Sequence, residues 1–346
     1  MRFLFILLFS LLCGQTWTDY LHSPVQWKVG LTNGYDNNVL KLSSVEKRDA
    51  ALDESIMGGV ETFDSHYARF SLSGQKIIQL ADRKKQIQFY AKGNVSNYLQ
   101  NEYRSYWSGN LKASYHWGSY RKLEYSIRHL DSYYIRHYFN RDVSADELAS
   151  CSFTDREQRL LASYPFKRRL WATGFVSYTQ RYFDKPFTEF DLDIMITALK
   201  ISKKISGFGK VAIEGKFGVA ENITFGKTAV ASGLDRSYKH FEWYIPVSYN
   251  IGIAGLDEIG VSLRRDVRQY GAETMGDPLH SGRSHEEVKW DIWGEKELSE
   301  NLTLKGSLRY RKRSTDSRYN WVSELKTFAQ VQAWVTLEWD MIYDRY

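Results

Sequence analysis

The sequence predicts an all-β protein, a transmembrane antiparallel up-and-down β-barrel of about fourteen strands. Apolar and polar residues alternate along membrane-length segments, and the links between these segments alternate between short and long. In addition, 15% of the residues are aromatic although the mean hydropathy is only −0.48. A barrel accounts for both values, because only every second strand residue meets lipid while the others line a polar interior.

The chain begins with the pattern of a secretory signal peptide. A short apolar run over residues 3–13 is followed at once by polar sequence, so we expect a signal peptide over residues 1–15, cleaved between 14 and 18. A lipoprotein signal needs a small residue before its cysteine, but Leu12 precedes Cys13, so we do not expect acylation of Cys13. Cys151 is then the single cysteine of the mature chain, and we expect a fold without an internal disulfide.

The clearest strand signal covers residues 329–343, where apolar and polar residues alternate throughout. A strand that crosses a bilayer at a tilt needs about 9–11 residues, whereas strands of globular proteins usually have about 5–6. This segment therefore has membrane length, and its aromatic end is typical of an interfacial girdle. We expect a C-terminal assembly strand that includes Leu337, Trp339, Met341, Tyr343 and Tyr346.

The same alternation recurs upstream and brings the number of expected strands to fourteen. No apolar run beyond the N-terminus has the roughly 18 residues that predict a transmembrane helix. Clear segments are 27–32, 87–95, 107–117, 190–198, 211–219, 241–251, 259–263, 288–294 and 302–310, and weaker ones lie near 64–74, 121–137, 154–165 and 169–182.

The links provide a second, independent signal. Compact links near 117–121, 164–169, 203–209, 252–257 and 296–301 alternate with long polar ones at 36–60, 138–153, 222–236, 270–284 and 312–326. Short periplasmic turns and long extracellular loops are typical of bacterial outer-membrane barrels, so we expect one barrel over residues 25–346. The links at 73–84 and 183–187 depart from this trend. A secreted β-sandwich or propeller is the alternative, but neither explains the alternating link lengths.

In strand number and link pattern the chain resembles Gram-negative outer-membrane barrels of fourteen strands, of which monomeric porins are one kind. Residues 34–39, Gly-Tyr-Asp-Asn-Asn-Val, resemble a stretch that opens the barrels of surface lipoprotein assembly modifier and exopolysaccharide-export families. That resemblance implies a role in export. Those proteins often carry a helical-repeat domain before the barrel, which we do not expect here, because few residues separate the expected signal peptide from the first strand. The other interpretation of Asp36 to Asn38 is turn chemistry.

Fourteen strands lie between the filled interior of eight-stranded barrels and the aqueous channel of larger ones. We expect a pore, with the loop at 36–60 as a candidate constriction or lid and Gly58 and Gly59 as its candidate hinge; the alternative is an ordinary exposed polar loop. Alternation favours a basic lumen wall on early strands opposite an acidic wall on later ones; the alternative is a mixture of charges that keeps a wet interior soluble. The expected lumen-lining residues are Arg69, Lys92, Lys112, Arg128, Asp191, Asp193, Glu214, Glu242, Asp291 and Glu295.

The function expected from this reasoning is an outer-membrane channel for passive diffusion of small hydrophilic solutes. The alternative is a barrel that assists export or surface assembly of a polysaccharide or lipoprotein. The expected partners are outer-membrane lipid and lipopolysaccharide, the barrel assembly machinery and small solutes. The small excess of positive charge is spread along the chain, so no nucleic acid is expected.

Catalytic chemistry has little support in the sequence. His129 with Asp131 and Ser132, and His280 with Ser281, come nearest to a reactive set, and a lipid-modifying enzyme is a third hypothesis. Neither set has a recognised spacing. No cysteine and histidine cluster, phosphate loop or dinucleotide fingerprint occurs, so no metal and no cofactor are expected.

Overall fold

The computed structural model describes residues 24–80, 84–140, 143–144, 147–225, 235–253, 255–272 and 278–342. These residues form fourteen antiparallel strands, which confirms the predicted number. The strands are β1 (Val25–Asp36), β2 (Ser65–Gln79), β3 (Gln86–Tyr98), β4 (Tyr106–His116), β5 (Lys122–Phe139), β6 (Leu148–Lys167), β7 (Leu170–Phe183), β8 (Leu192–Ile205), β9 (Gly209–Asn222), β10 (Tyr238–Ile253), β11 (Leu256–Tyr270), β12 (Ser284–Ser299), β13 (Leu302–Asp316) and β14 (Phe328–Ile342).

The first and last strands close the sheet. β1 pairs with β14 in one continuous antiparallel register from Gln26 opposite Ile342 to Asp36 opposite Gln332. Every other strand pairs with its two neighbours in the chain, so the described strands form a closed barrel. A closed sheet has no edge whose backbone N–H and C=O groups lack partners, and that is the condition for crossing a hydrocarbon layer with strands.

The two faces of the sheet differ in polarity. Large apolar side chains stand exposed on the outer face of every part of the wall, for example Leu111 at 59%, Phe217 at 56% and Val335 at 52%. The alternate positions point inward and are mostly polar or charged. The outer surface therefore has the polarity of a lipid-facing wall, and the fold class predicted from alternation is confirmed.

The predicted phase of one strand is wrong. In β8 the sequence pattern assigned Leu192, Ile194 and Ala198 to the outer face, but their side chains are buried inside, 5–6% exposed. Met195 and Leu199 stand outside instead, at 57% and 56%. Both faces of this strand are apolar near one end, so the alternation carried no information on which face meets the lumen.

The connections separate the barrel into two rims. One rim holds the start of β1 at Val25 and the end of β14 at Ile342, and we call it the turn rim. Its links are short, such as residues 168–169 and 206–208. The opposite rim, the loop rim, has most of the long links. The link at 73–84 looked long for a turn because β2 continues to Gln79, which leaves residues 80–85 as the turn.

Short helical segments lie in the connections of the loop rim. They are helix α1 (Ser44–Ala50), helix α2 (Asn320–Lys326) and single 3₁₀ turns at Glu54–Met57, Glu102–Arg104 and Thr188–Phe190. Within the described part of the chain, no helix is long and apolar enough to span a membrane. The predicted signal peptide, Tyr343 and Tyr346 lie outside the described residues, whereas Leu337, Trp339 and Met341 lie on β14.

Closure at the β1–β14 seam generates a first prediction. Leu337 lies opposite Leu31 of β1 and Leu304 of β13, in the middle of the seam. A proline there removes a ladder N–H from a strand paired on both sides. In SDS gels of unheated samples, the folded barrel should run as a band whose mobility changes when the sample is heated. Leu337→Pro should abolish this folded band, while the control Leu337→Ala should retain it. A normal folded band from the proline variant would contradict the closed seam.

Candidate functional site

The Gly-Tyr-Asp-Asn-Asn-Val stretch forms a latch that turns the chain into the barrel. At the end of β1, the carboxylate of Asp36 accepts hydrogen bonds from the Nε2 atoms of Gln330 and Gln332 on β14, each at 2.8 Å. Asn38 Nδ2 donates to the carbonyl oxygens of Leu42 at 2.9 Å and Ala329 at 3.0 Å. Asp36 and Asn38 are 2% and 0% exposed. We call Asp36, Asn38, Gln330 and Gln332 the latch.

The chain after the latch, residues 37–64, is called here the inner loop, because it packs against inward side chains of the wall. Its apolar residues, among them Leu40, Leu42 and Met57, lie in one buried cluster with Tyr67 and Tyr98. This cluster fills one side of the barrel mouth, along β1 to β5. The predicted constriction loop therefore lies inside the mouth.

A second anchor joins the inner loop to β5. The Arg136 guanidinium donates to the backbone oxygens of Leu40 at 3.0 Å and Lys41 at 2.8 Å, and forms an ion pair with Glu46. Glu46 also closes the capping box of α1 with Ser43. One carboxylate thus caps the N-terminus of the helix and fastens it to the wall, where an unpaired buried charge would be costly.

Gly58 and Gly59, the candidate hinge, lie in the inner loop next to β5. Both residues have a left-handed φ of 79°, a conformation that glycine adopts without steric cost. A Cβ on Gly58 would collide with the ring of His137, whereas one on Gly59 would meet open space. Gly58 is therefore a close contact point between the inner loop and β5.

The other side of the mouth holds a cavity of about 530 Å³, called here the vestibule. Its walls come from the loop-rim ends of β5 to β8 and β10 to β13, with α1, α2 and the Thr188–Phe190 turn. Aromatic rings and seven basic side chains dominate the lining, with Glu46 and Asp49 as its carboxylates. The basic residues are Arg136, Arg181, Arg236, Arg268, Arg283, Arg313 and Lys326.

Several of these cations are already paired. Arg181 binds both carboxylate oxygens of Asp155, at 2.8 and 2.9 Å. Arg268 binds Asp266 at 3.2 Å and Arg313 binds Glu287 at 3.0 Å. For Arg283 and Lys326, in contrast, no carboxylate of the described residues lies within 4.0 Å. Within the part of the chain that the structure describes, Arg283 and Lys326 therefore lack a carboxylate partner.

Lys326, at the end of α2, is strongly perturbed by its surroundings in the vestibule. Removal from water, with Arg136, Arg283 and Arg313 nearby, lowers its pKa to about 7, against the attraction of Glu46. Burial and the three guanidinium groups disfavour the ammonium form of Lys326, whereas the carboxylate of Glu46 favours it. The charge of the vestibule therefore changes within the physiological pH range.

Most expected lumen residues have inward positions. Arg69, for example, donates from Nε to Ser96 Oγ at 2.8 Å across the inner face. Asp193 differs: it has the phase of the exposed Met195 and accepts a hydrogen bond from Tyr178 at 2.8 Å on the outer side. Asp191 lies in the link before β8 and accepts from the Phe183 backbone. The inward residues of the expected set are Arg69, Lys92, Lys112, Arg128, Glu214, Glu242, Asp291 and Glu295.

The predicted separation into a basic and an acidic wall is wrong. The inward carboxylates of the later strands are paired with inward cations of neighbouring strands, such as Glu242 with Lys216 at 2.8 Å and Asp291 with Arg309 at 2.5 Å. Glu287 alone contacts three cations, Lys289, Arg311 and Arg313. The inward cations of β13 had not been included in the prediction, although the alternation places them there, and the wrong phase of β8 hid Lys200.

A second cavity, also about 530 Å³, lies in the lumen nearer the turn rim. Its lining combines Lys122, Arg159, Lys200 and Lys210 with Glu214 and several hydroxyl groups. Lys200 and Glu214 form an ion pair at 3.6 Å. Positive charge thus occurs at two depths of the barrel, on the side away from the inner loop.

The candidate catalytic sets have the following positions. His129 lies on the outer face, 3.5 Å from Asp131 and with its ring 4.9 Å from that of the exposed Trp107. Ser132 lies in an irregular part of β5, where its backbone N–H donates to Thr154. His280 lines the vestibule beside Tyr270. These contacts are of the kind that position interfacial and wall residues.

The vestibule was missed at the sequence level because its residues are far apart in the chain. Arg136, Arg283 and Lys326 lie on three different strands or loops, and only closure of the barrel brings them together. Arg181 and Arg268 could have been found, since both occupy inward positions near the ends of predicted strands.

No protein-family model and no curated protein matches the chain. Among solved structures it is similar to OpdK of Pseudomonas aeruginosa, solved with vanillate, at 10% identity, with 92% of this chain and 99% of that chain covered and a TM-score of 0.43. An anion-selective porin from Comamonas acidovorans has 10% identity, coverage of 92% and 98%, and a TM-score of 0.42. Because these identities and TM-scores are low, the assignment of a closed barrel rests on the strand pairing of this chain itself.

The latch generates a second prediction. Asp36→Ala removes the acceptor of Gln330 and Gln332 and should cost about 1–3 kcal/mol, because buried donors are left unpaired. The inner loop should then become cleavable by trypsin after Lys47 or Arg48 in the folded barrel. The control Asp53→Ala changes an exposed carboxylate of the same loop, which accepts from Ser55 only. Equal protease resistance of the Asp36 variant and the wild type would contradict the latch.

The lowered pKa of Lys326 generates a third prediction. Between pH 10 and 7 the unfolded state binds a proton that the folded state does not, so stability should fall as the pH falls from about 10 to about 7 and then level off. The slope from this residue should not exceed about 1.4 kcal/mol per pH unit. Urea unfolding of the refolded barrel at several pH values measures it.

In that experiment Lys326→Met should remove this part of the pH dependence. Lys204→Met, at an exposed position on β8 near the turn rim, is the control and should leave the pH dependence unchanged. An unaltered slope in the Lys326 variant would show that another group titrates.

Proposed function

We propose that this chain is a channel of the bacterial outer membrane through which small hydrophilic solutes diffuse passively. The observation that carries the proposal is a closed fourteen-strand barrel with an apolar outer face and a charged inner face. Such a sheet suits lipid on one side and water on the other. We further propose that the loop rim faces the outside of the cell and the turn rim the periplasm.

The inner loop sets the width of the entrance in this proposal. It fills the mouth along β1 to β5 and leaves the vestibule open along the remaining strands. Solutes would pass the vestibule first and the second cavity afterwards. Ion pairs along the inner wall, such as Lys216 with Glu242, give the lumen a fixed pattern of charge that acts on solutes at short range.

The export alternative rests on residues 34–39, and the latch offers a structural reason for these residues. Asp36 and Asn38 hold the inner loop to β14 through buried hydrogen bonds. Loss of a surface polysaccharide or lipoprotein on deletion of the gene, with normal solute uptake, would favour export over passive diffusion.

The fourth prediction tests the channel directly. Replacing residues 44–57 with a short glycine-serine linker removes α1 and the following 3₁₀ turn but leaves the latch intact. Because those residues occupy part of the mouth, single-channel conductance in planar bilayers should rise above that of the wild type. Folding is checked by heat-shifted mobility in SDS gels. A folded wild-type barrel that carries no current would overturn the proposed function.

A further inference from the structure

We propose that the vestibule is a binding site for amphipathic anions, in which one acidic group is carried on an apolar ring. This inference rests on the proposed function, since it names the class of solute that the channel admits. It is carried by three features of the vestibule: two cations without a carboxylate partner among the described residues, a group of aromatic rings and a size that admits a single-ring acid.

The first feature is a missing counter-charge. Arg283 is only 6% exposed, and its Nε atom has no hydrogen-bond partner among the described residues. Its guanidinium lies 4.1 Å above the ring of Tyr270. Lys326 lies near Arg283, Arg136 and Arg313. A buried guanidinium is stable when an anion or several acceptors face it, so an acidic group in the vestibule would complete this cluster.

The second feature is a group of aromatic rings that line the same cavity. The ring centroid of Phe190 lies 5.5 Å from that of Phe183 and 5.2 Å from that of Phe187. The side chain of Trp321 on α2 is 50% exposed at the border of the cavity. Phe187 itself is only 2% exposed, but an inorganic anion would leave Trp321 and the half-buried rings of Phe183 and Phe190 in contact with water, whereas a ring would cover them.

The third feature is size. About 530 Å³ is within the roughly 300–1,000 Å³ of small-molecule sites, and the cavity opens to the outside. A ring with one acidic group can therefore place its head group at Arg283 and Lys326 while its body contacts the phenylalanines. A strongly hydrated sugar acid would lose its water shell against the rings without hydrogen bonds in return.

The second cavity gives such an anion a further position. Lys200 and Lys210 line it nearer the turn rim. Conduction needs binding that is favourable enough for entry but spread over several sites, so that the solute can leave again. Two cationic positions along one side of the barrel meet this requirement better than a single deep site.

Single-channel recording of the refolded mature chain provides the test, with probes added on the loop-rim side. Benzoate has charge and ring, acetate has charge alone, benzamide has the ring alone, and glucuronate has charge on a polar ring. Benzoate should reduce the current at concentrations about tenfold lower than each of the other three, which corresponds to a tenfold difference in affinity. Equal effects of benzoate and acetate would overturn the inference in favour of general anion preference.

Charge variants locate the effect. Arg283→Gln and Lys326→Gln should each raise the half-blocking concentration of benzoate several-fold without changing that of benzamide. Arg48→Gln removes an equal charge from an exposed position of α1 outside the cavity lining and should leave both values unchanged. If Arg283→Gln does not fold, the Lys326 variant decides the question.

The outcomes separate this inference from the proposed function. A folded wild-type barrel without conductance contradicts the channel itself. A conducting barrel on which benzoate acts no more strongly than acetate, or whose benzoate block is the same in the Lys326 variant, contradicts only the ligand class.

Discussion

The structure depends on one set of interactions, the hydrogen-bonded register between β1 and β14. Without it the sheet would have two open edges, and their unpaired backbone groups could not be placed in lipid. With it, every strand has two neighbours, and the alternating side chains are divided between one outer and one inner surface. The polarity of the wall, the lumen and both cavities follow from that closure.

The same seam also positions the entrance. Asp36 lies at the last paired position of β1, directly opposite Gln332, so its carboxylate is fixed by the register and available to Gln330 and Gln332. The chain leaves the strand there and enters the mouth, where Arg136 fastens it from the far side. The inner loop consequently fills one half of the opening, and the charged and aromatic vestibule forms in the other half.

Much of the architecture is readable from the sequence, because strand alternation depends on nearest neighbours. The length of β14, the number of strands and the division into short turns and long loops all follow from local patterns. The phase of β8 does not follow from a local pattern, since Ile194 and Met195 are both apolar and only the tertiary structure decides which one faces the lumen. The vestibule was not predictable either, because Arg136, Arg283 and Lys326 meet only through closure. Charge pairing across strands, such as Asp291 with Arg309, likewise requires the register.

The most direct test of a water-filled lumen with an excess of positive charge is the reversal potential of single channels in a potassium chloride gradient across a planar bilayer. In the proposed channel, Arg283 and Lys326 would raise the local concentration of anions at the entrance. The account predicts a stable open level whose reversal potential is displaced toward the chloride equilibrium potential. A folded, inserted protein that shows no open level, or one that reverses near the potassium equilibrium potential, would contradict it.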